Sequence, residues 1–84
     1  HIVPALMKFE PEIVLISAGF DAHNADPLSY IRLSTEAYYK FTVLIKQAAN
    51  EYSGGRMIAF LEGGYDLEAL ANSVDMMMRA FIED

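Results

Sequence analysis

Two short apolar runs, each closed by glycine and separated by a helical pattern, constrain this chain more than anything else in it. Ile13, Val14, Leu15 and Ile16 follow one another without alternation inside Glu12–Ser17, and Gly19 ends the run. Met57–Leu61 repeats the arrangement and breaks at Gly63–Gly64. Unbroken apolar runs of this length suit strands buried on both faces, as in a parallel sheet, whereas a strand with one wet face alternates. Between them, Ser34 is placed to cap a helix that ends near Tyr52, with Ala37, Phe41, Leu44, Ile45, Ala48 and Tyr52 as its apolar stripe. Gly54 and Gly55 stop it. A strand–helix–strand unit of this size calls for a right-handed crossover and a parallel pair.

The remaining segments extend the alternation. Ile2, Val3, Leu6 and Met7 have helical spacing, and Pro11 bars that helix from continuing. Phe20–Leu33 reads as a loop, with Asn24, Asp26 and Pro27 as breakers. Asp66 is set to cap a last helix from about Leu67 to Ile82, whose stripe is Leu67, Leu70, Ala71, Val74, Met77, Met78 and Phe81. Asp75 and Arg79 are spaced for a weak ion pair on its outer side. The expected fold is α/β, a fragment of an open parallel sheet flanked by helices in the order strand–helix–strand–helix. Two strands do not complete such a sheet, so residues 1–84 read as an incomplete portion of a larger domain.

Composition supports that reading. The chain is 54% hydrophobic over 84 residues and has no cysteine, so neither disulfides nor thiolate metal sites make up for a small core. The apolar excess is surface to be covered by the rest of a parent domain or by self-association. A net charge of −6 speaks against nucleic-acid binding, where basic side chains supply most of the affinity. The apolar runs fall far short of the ~20 residues needed to cross a bilayer. No basic segment followed by an apolar stretch opens the sequence. An intracellular protein without a membrane partner is expected.

Ligands of open α/β sheets bind outside the carboxyl ends of the strands. Asp21 follows the first strand and Tyr65 the second, so parallel strands bring both to one edge. Each has a plainer reading. Asp21 is also an ordinary turn residue, and Tyr65 a half-buried aromatic beside a glycine turn. Gly63 and Gly64 also serve backbone geometry alone. Asp26 before Pro27 reads as loop structure bonding local amides, and His23 as a hydrogen-bonded loop histidine.

SAGFDAH (17–23), followed by DPL (26–28) and later LEGGYDL (61–67), resembles two active-site segments of the zinc-dependent histone deacetylase superfamily, which includes acetylpolyamine amidohydrolases and acetoin utilisation proteins. The likeness runs in order through nearly the whole chain and implies the C-terminal part of that catalytic domain. By resemblance, Asp21 is a zinc ligand and Tyr65 points at the substrate carbonyl. Gly63 and Gly64 would form part of the acyl-lysine tunnel wall. Some family members carry histidine where this chain has Tyr65; tyrosine implies an active parent enzyme.

The family's Asp-x-His pair and its paired histidines do not occur in this sequence. One carboxylate cannot build a zinc site, which takes three or four protein ligands. The expectation is therefore a fragment, inert alone, of a zinc-dependent amidohydrolase acting on N-acetyl-lysine or acetylpolyamine amides. The alternative is a non-catalytic α/β interaction module that keeps these motifs as scaffold. A nucleotide-binding βαβ unit fits poorly, because SAGFDAH has one glycine and no direct turn into a helix.

Overall fold

The structure, a computed structural model, describes residues 1–83. Its elements follow in the order α1 (Ile2–Phe9), β1 (Val14–Ala18), α2 (Thr35–Tyr52), β2 (Met57–Leu61) and α3 (Leu67–Ile82). Glu10 ends α1 in the left-handed conformation, its amide returning to the Leu6 carbonyl at 2.9 Å. Ser34 caps α2 by accepting from the Ala37 amide at 3.2 Å, and Asp66 caps α3 through the Ala69 amide at 2.9 Å. Both caps stand where the sequence placed them. So does the Asp75–Arg79 pair, at 2.8 Å on the exposed side of α3.

β1 and β2 pair in parallel, with Val14 opposite Met57 and Ala18 opposite Leu61. The starts of the strands are tied by the Val14 amide to the Arg56 carbonyl at 3.0 Å and by Arg56 Nε to the Glu12 carbonyl at 2.9 Å. The Ser53 hydroxyl, fully buried, donates to the Pro11 carbonyl. One face of the sheet carries Ile16, Ala18 and Ala59 into the core, where Phe20, Tyr38, Leu33, Leu70, Val74 and Met77 meet them. The Phe20 and Tyr38 rings pack 4.9 Å apart.

Burial on both sheet faces is not what the described residues show. Leu15, Ile58 and Phe60 point to the other face and are 62%, 47% and 52% exposed. The runs are apolar on both sides, but α2 and α3 cover one side only.

The expected helix stripes are met in part, with Ala48 buried on α2. Tyr38, Thr42, Ala48 and Ala49 are the buried residues of α2, while Phe41 and Leu44 are exposed. On α3 the buried set is Ala69, Ser73 and Ala80, and Leu67 and Met78 are exposed. Small side chains let two helix backbones approach closely, and α2 and α3 pack mainly against each other. A stripe chosen by hydrophobicity ranks alanine, serine and threonine too low. Thr42 satisfies its buried hydroxyl within the helix, donating to the Tyr38 carbonyl at 2.7 Å. Leu70, Val74 and Met77 do face the core, as expected.

Replacing the α3 cap, Asp66→Ala, in the full-length protein should cost about 1 kcal/mol of stability. A lowered denaturant midpoint at unchanged slope is the expected result.

Candidate functional site

The two loops beyond the strands are stitched together before either turns away. The Glu62 amide donates to the Ala18 carbonyl at 3.0 Å, and the Phe20 amide donates to the Gly63 carbonyl at 2.8 Å. The parallel pairing thus continues one step past the sheet and brings Asp21 beside the Gly63–Gly64 turn. Phe20, almost fully buried in the core, anchors the backbone next to Asp21.

The seat of Asp21 explains its two glycine neighbours. A Cβ on Gly63 would lie 2.8 Å from the Asp21 carboxyl carbon and 3.0 Å from each of its oxygens. A Cβ on Gly19 would come within 3.1 Å of Oδ1. The carboxylate therefore lies flat over bare backbone, and no hydrogen bond to it forms among the described residues. Gly64 has a second reason to be glycine. Its φ of +143° is unfavourable for any residue with a Cβ, and that Cβ would stand 2.9 Å from Leu70 Cδ1 and 3.2 Å from Phe20 Cβ.

Asp26 does more than bond its own loop. It is only 8% exposed. Oδ1 accepts from the Leu28 amide at 2.8 Å, and Oδ2 accepts from the Tyr65 amide, also at 2.8 Å. Burial opposes its ionisation, but the amides of Leu28, Tyr65, Ser29 and Asp66 outweigh it and hold the carboxyl below the ordinary carboxylate range. It is therefore ionised at neutral pH. Any stability this lowering contributes is present above the ordinary carboxylate range and is lost as pH falls through it. The sequence showed the local turn; the partner 39 residues away carries no local signal.

His23 is a buried loop residue with both ring nitrogens engaged. Nδ1 accepts from the Ala25 amide at 3.0 Å, which leaves Nε2 to donate to Thr35 Oγ1 at 2.7 Å. That arrangement corresponds to the neutral Nε2–H tautomer and leaves no lone pair for a metal. The Tyr38 hydroxyl is buried without a hydrogen-bond partner among the described residues. Burial, and then the charge of Asp21, push its pKa up. Tyr65 itself is 55% exposed.

Among the described residues, no three histidine or acidic side chains gather closely enough to hold a metal ion. What is present fits one corner of a metal site: a carboxylate with free lone pairs, cradled where a Cβ would otherwise stand.

A family-wide sequence model described as histone deacetylase domain matches residues 1–81. The chloroplastic histone deacetylase 10 of Oryza sativa subsp. japonica is 47% identical over 81 residues, covering 96% of this chain and 18% of that protein. The polyamine deacetylase HDAC10 of Mus musculus is 42% identical over 83 residues, covering 99% of this chain and 12% of that protein. In three dimensions the chain superposes on the crystal structure of the HDA15 HD domain with a TM-score of 0.83 at 33% identity. That match covers 96% of this chain and 22% of the solved one. The chain thus spans less than a quarter of each of these relatives.

Gly63→Ala in the full-length protein should displace the Asp21 carboxylate from its seat. Where Asp21 serves as a metal ligand, the displacement weakens metal affinity by about 10–100-fold, the range for residues supporting a ligand. Metal titration checks it, with circular dichroism unchanged.

Proposed function

The chain belongs to the histone deacetylase domain family, and on that premise we propose that residues 1–84 are the C-terminal part of a zinc-dependent deacetylase domain. Its reaction is hydrolysis of N-acetyl-lysine or acetylpolyamine amides, in an intracellular setting where such substrates occur. The observation that carries this reading is the stitched loop pair, which seats the Asp21 carboxylate on Gly63 at the edge where Tyr65 also stands.

In this reading Asp21 is one zinc ligand, its lone pairs uncommitted to any donor among the described residues. Held in part by Asp21, a zinc ion would supply polarisation of the amide carbonyl and a lowered water pKa. Tyr65 donates its phenolic proton in a hydrogen bond to the oxygen on which charge develops. Its half-exposed side chain has the freedom to meet a substrate there. Gly63 and Gly64 form part of the acyl channel wall in this reading, and their missing side chains leave room for Asp21 on one side and for Leu70 and Phe20 on the other.

The remaining ligands and the general base lie outside this chain, since zinc takes at least three protein ligands in catalytic sites. The bare sheet face supports the same division. Burying Leu15, Ile58 or Phe60 recovers up to about 1.5–3 kcal/mol each, and the rest of the parent domain is the cover this reading assigns them. No helix among the described residues is long and apolar enough to cross a membrane.

Tyr65→Phe in the full-length enzyme should lower kcat by about 10²–10³-fold on an acetyl-lysine peptide or an acetylpolyamine, the usual cost of one oxyanion donor. Unchanged turnover would remove the role given to Tyr65. The isolated 84-residue chain should show no turnover with added zinc and should self-associate through Leu15, Ile58 and Phe60. Sedimentation checks the second point: Leu15→Ser with Phe60→Ser should shift the chain toward monomer. A cooperative monomer at high concentration without those changes would contradict the reading of that face.

A further inference from the structure

We propose that Asp26 is a positioning residue for Tyr65, its carboxylate fixing the backbone from which the phenol reaches the reacting oxygen. The proposal rests on the reading of Tyr65 given above.

Asp26 stands on a platform that is itself tightly closed. The loop Ala22–Leu33 is pinched at its neck by the Leu33 amide to the Ala22 carbonyl at 2.8 Å and the Asn24 amide to the Leu33 carbonyl at 2.7 Å. The Asp26 amide returns to the His23 carbonyl at 3.0 Å. The His23 ring ties the same loop to Thr35, the first residue of α2, at 2.7 Å. From this platform one carboxylate oxygen holds the loop at Leu28 and the other reaches across to Tyr65.

Tyr65 needs such a hold. It follows the Gly63–Gly64 turn, whose residues have no side chains to pack, and its own side chain is more than half exposed. The backbone is fixed upstream by the Phe20 amide to the Gly63 carbonyl at 2.8 Å and downstream by the Asp66 cap. Between those points, the bond from the Tyr65 amide to Asp26 is the attachment at the residue itself.

The residue type fits the task. Both oxygens of Asp26 accept from amides, which a carboxylate does with either oxygen. An asparagine in the same place has one oxygen and would turn an NH₂ group toward the other N–H. The lowered pKa of Asp26 agrees with a carboxylate held by several amides. A displacement of about 1 Å at a reacting group costs on the order of 100-fold in rate, so a weakened hold should be visible in turnover.

The test is a double-substitution cycle in the full-length enzyme with zinc bound, using Asp26→Asn, Tyr65→Phe and the two combined. Asp26→Asn should lower kcat by up to about 100-fold, with KM and zinc content close to those of the parent. In the Tyr65→Phe background the same change should cost no more than about twofold, the scatter of independent effects. An equal loss in both backgrounds would mean that Asp26 only supports the fold, and the proposal falls. Wild-type kcat in Asp26→Asn, with Tyr65→Phe impaired, would also sink it while leaving the Tyr65 reading intact. Unimpaired Tyr65→Phe would instead remove the underlying reading. Should Asp26→Asn not fold, Asp26→Glu keeps the charge, moves it by one methylene, and is read through the same cycle.

Discussion

Everything at the candidate site depends on the parallel pairing of β1 with β2 and on its continuation past the strand ends. The ladder from Val14–Met57 to Ala18–Leu61 is short, but the Glu62–Ala18 and Phe20–Gly63 bonds carry it into the loops. Each bond contributes only about 1 kcal/mol net. Their larger effect is geometric. They determine that the residue beneath the Asp21 carboxylate is Gly63. A slip of one residue would bring Glu62 or Gly64 there and turn every strand side chain to the opposite face.

Phe20 links this edge to the core. Its ring packs on Tyr38, its amide holds Gly63, and its Cβ bounds the space that Gly64 leaves empty. The close meeting of α2 and α3 in turn supplies the floor on which Tyr38 and Leu70 stand. Ties between side chains and the end of α3 reinforce that meeting. Lys46 donates to the Ala80 carbonyl at 3.0 Å, and the Tyr39 hydroxyl bonds the Glu83 carboxylate. Packing of small residues in the helix pair thus reaches the site through two aromatic rings and a leucine.

What the sequence disclosed, and what it hid, follows from the range of each interaction. Caps act over three residues, so Ser34 and Asp66 could be read directly. Strand–helix–strand order constrains handedness and direction, so the parallel pair and the common edge for Asp21 and Tyr65 could be read as well. The deacetylase family could be read from two motifs whose order and spacing agree with the domain match over residues 1–81. The helix faces were legible in part: Ala48, Leu70, Val74 and Met77 turn inward as expected, while the buried Thr42, Ala49, Ser73 and Ala80 are small residues that a hydrophobic stripe does not register. The second sheet face is bare among the described residues, in keeping with an apolar excess read as surface that needs a cover from outside these residues. The bond from Asp26 to Tyr65 joins two loops across 39 residues, and only the folded chain displays it.

The segment Asp21–Asp26 presents three residues of metal-binding type within six positions, and the sequence separates them only through the motif that singles out Asp21. Their surroundings separate them. His23 has one ring nitrogen accepting from an amide and the other facing a hydroxyl. Asp26 has each oxygen occupied by a backbone N–H and is nearly closed from solvent. Asp21 alone lies partly open on bare glycine backbone, with its lone pairs unclaimed among the described residues. A carboxylate saturated with amide donors gains little from a cation and serves to hold backbone. One with free lone pairs and a thin floor is suited to coordinate. The same loop therefore separates the two tasks by environment: Asp21 is free to bind, and Asp26 and His23 are committed to holding the loop that presents it.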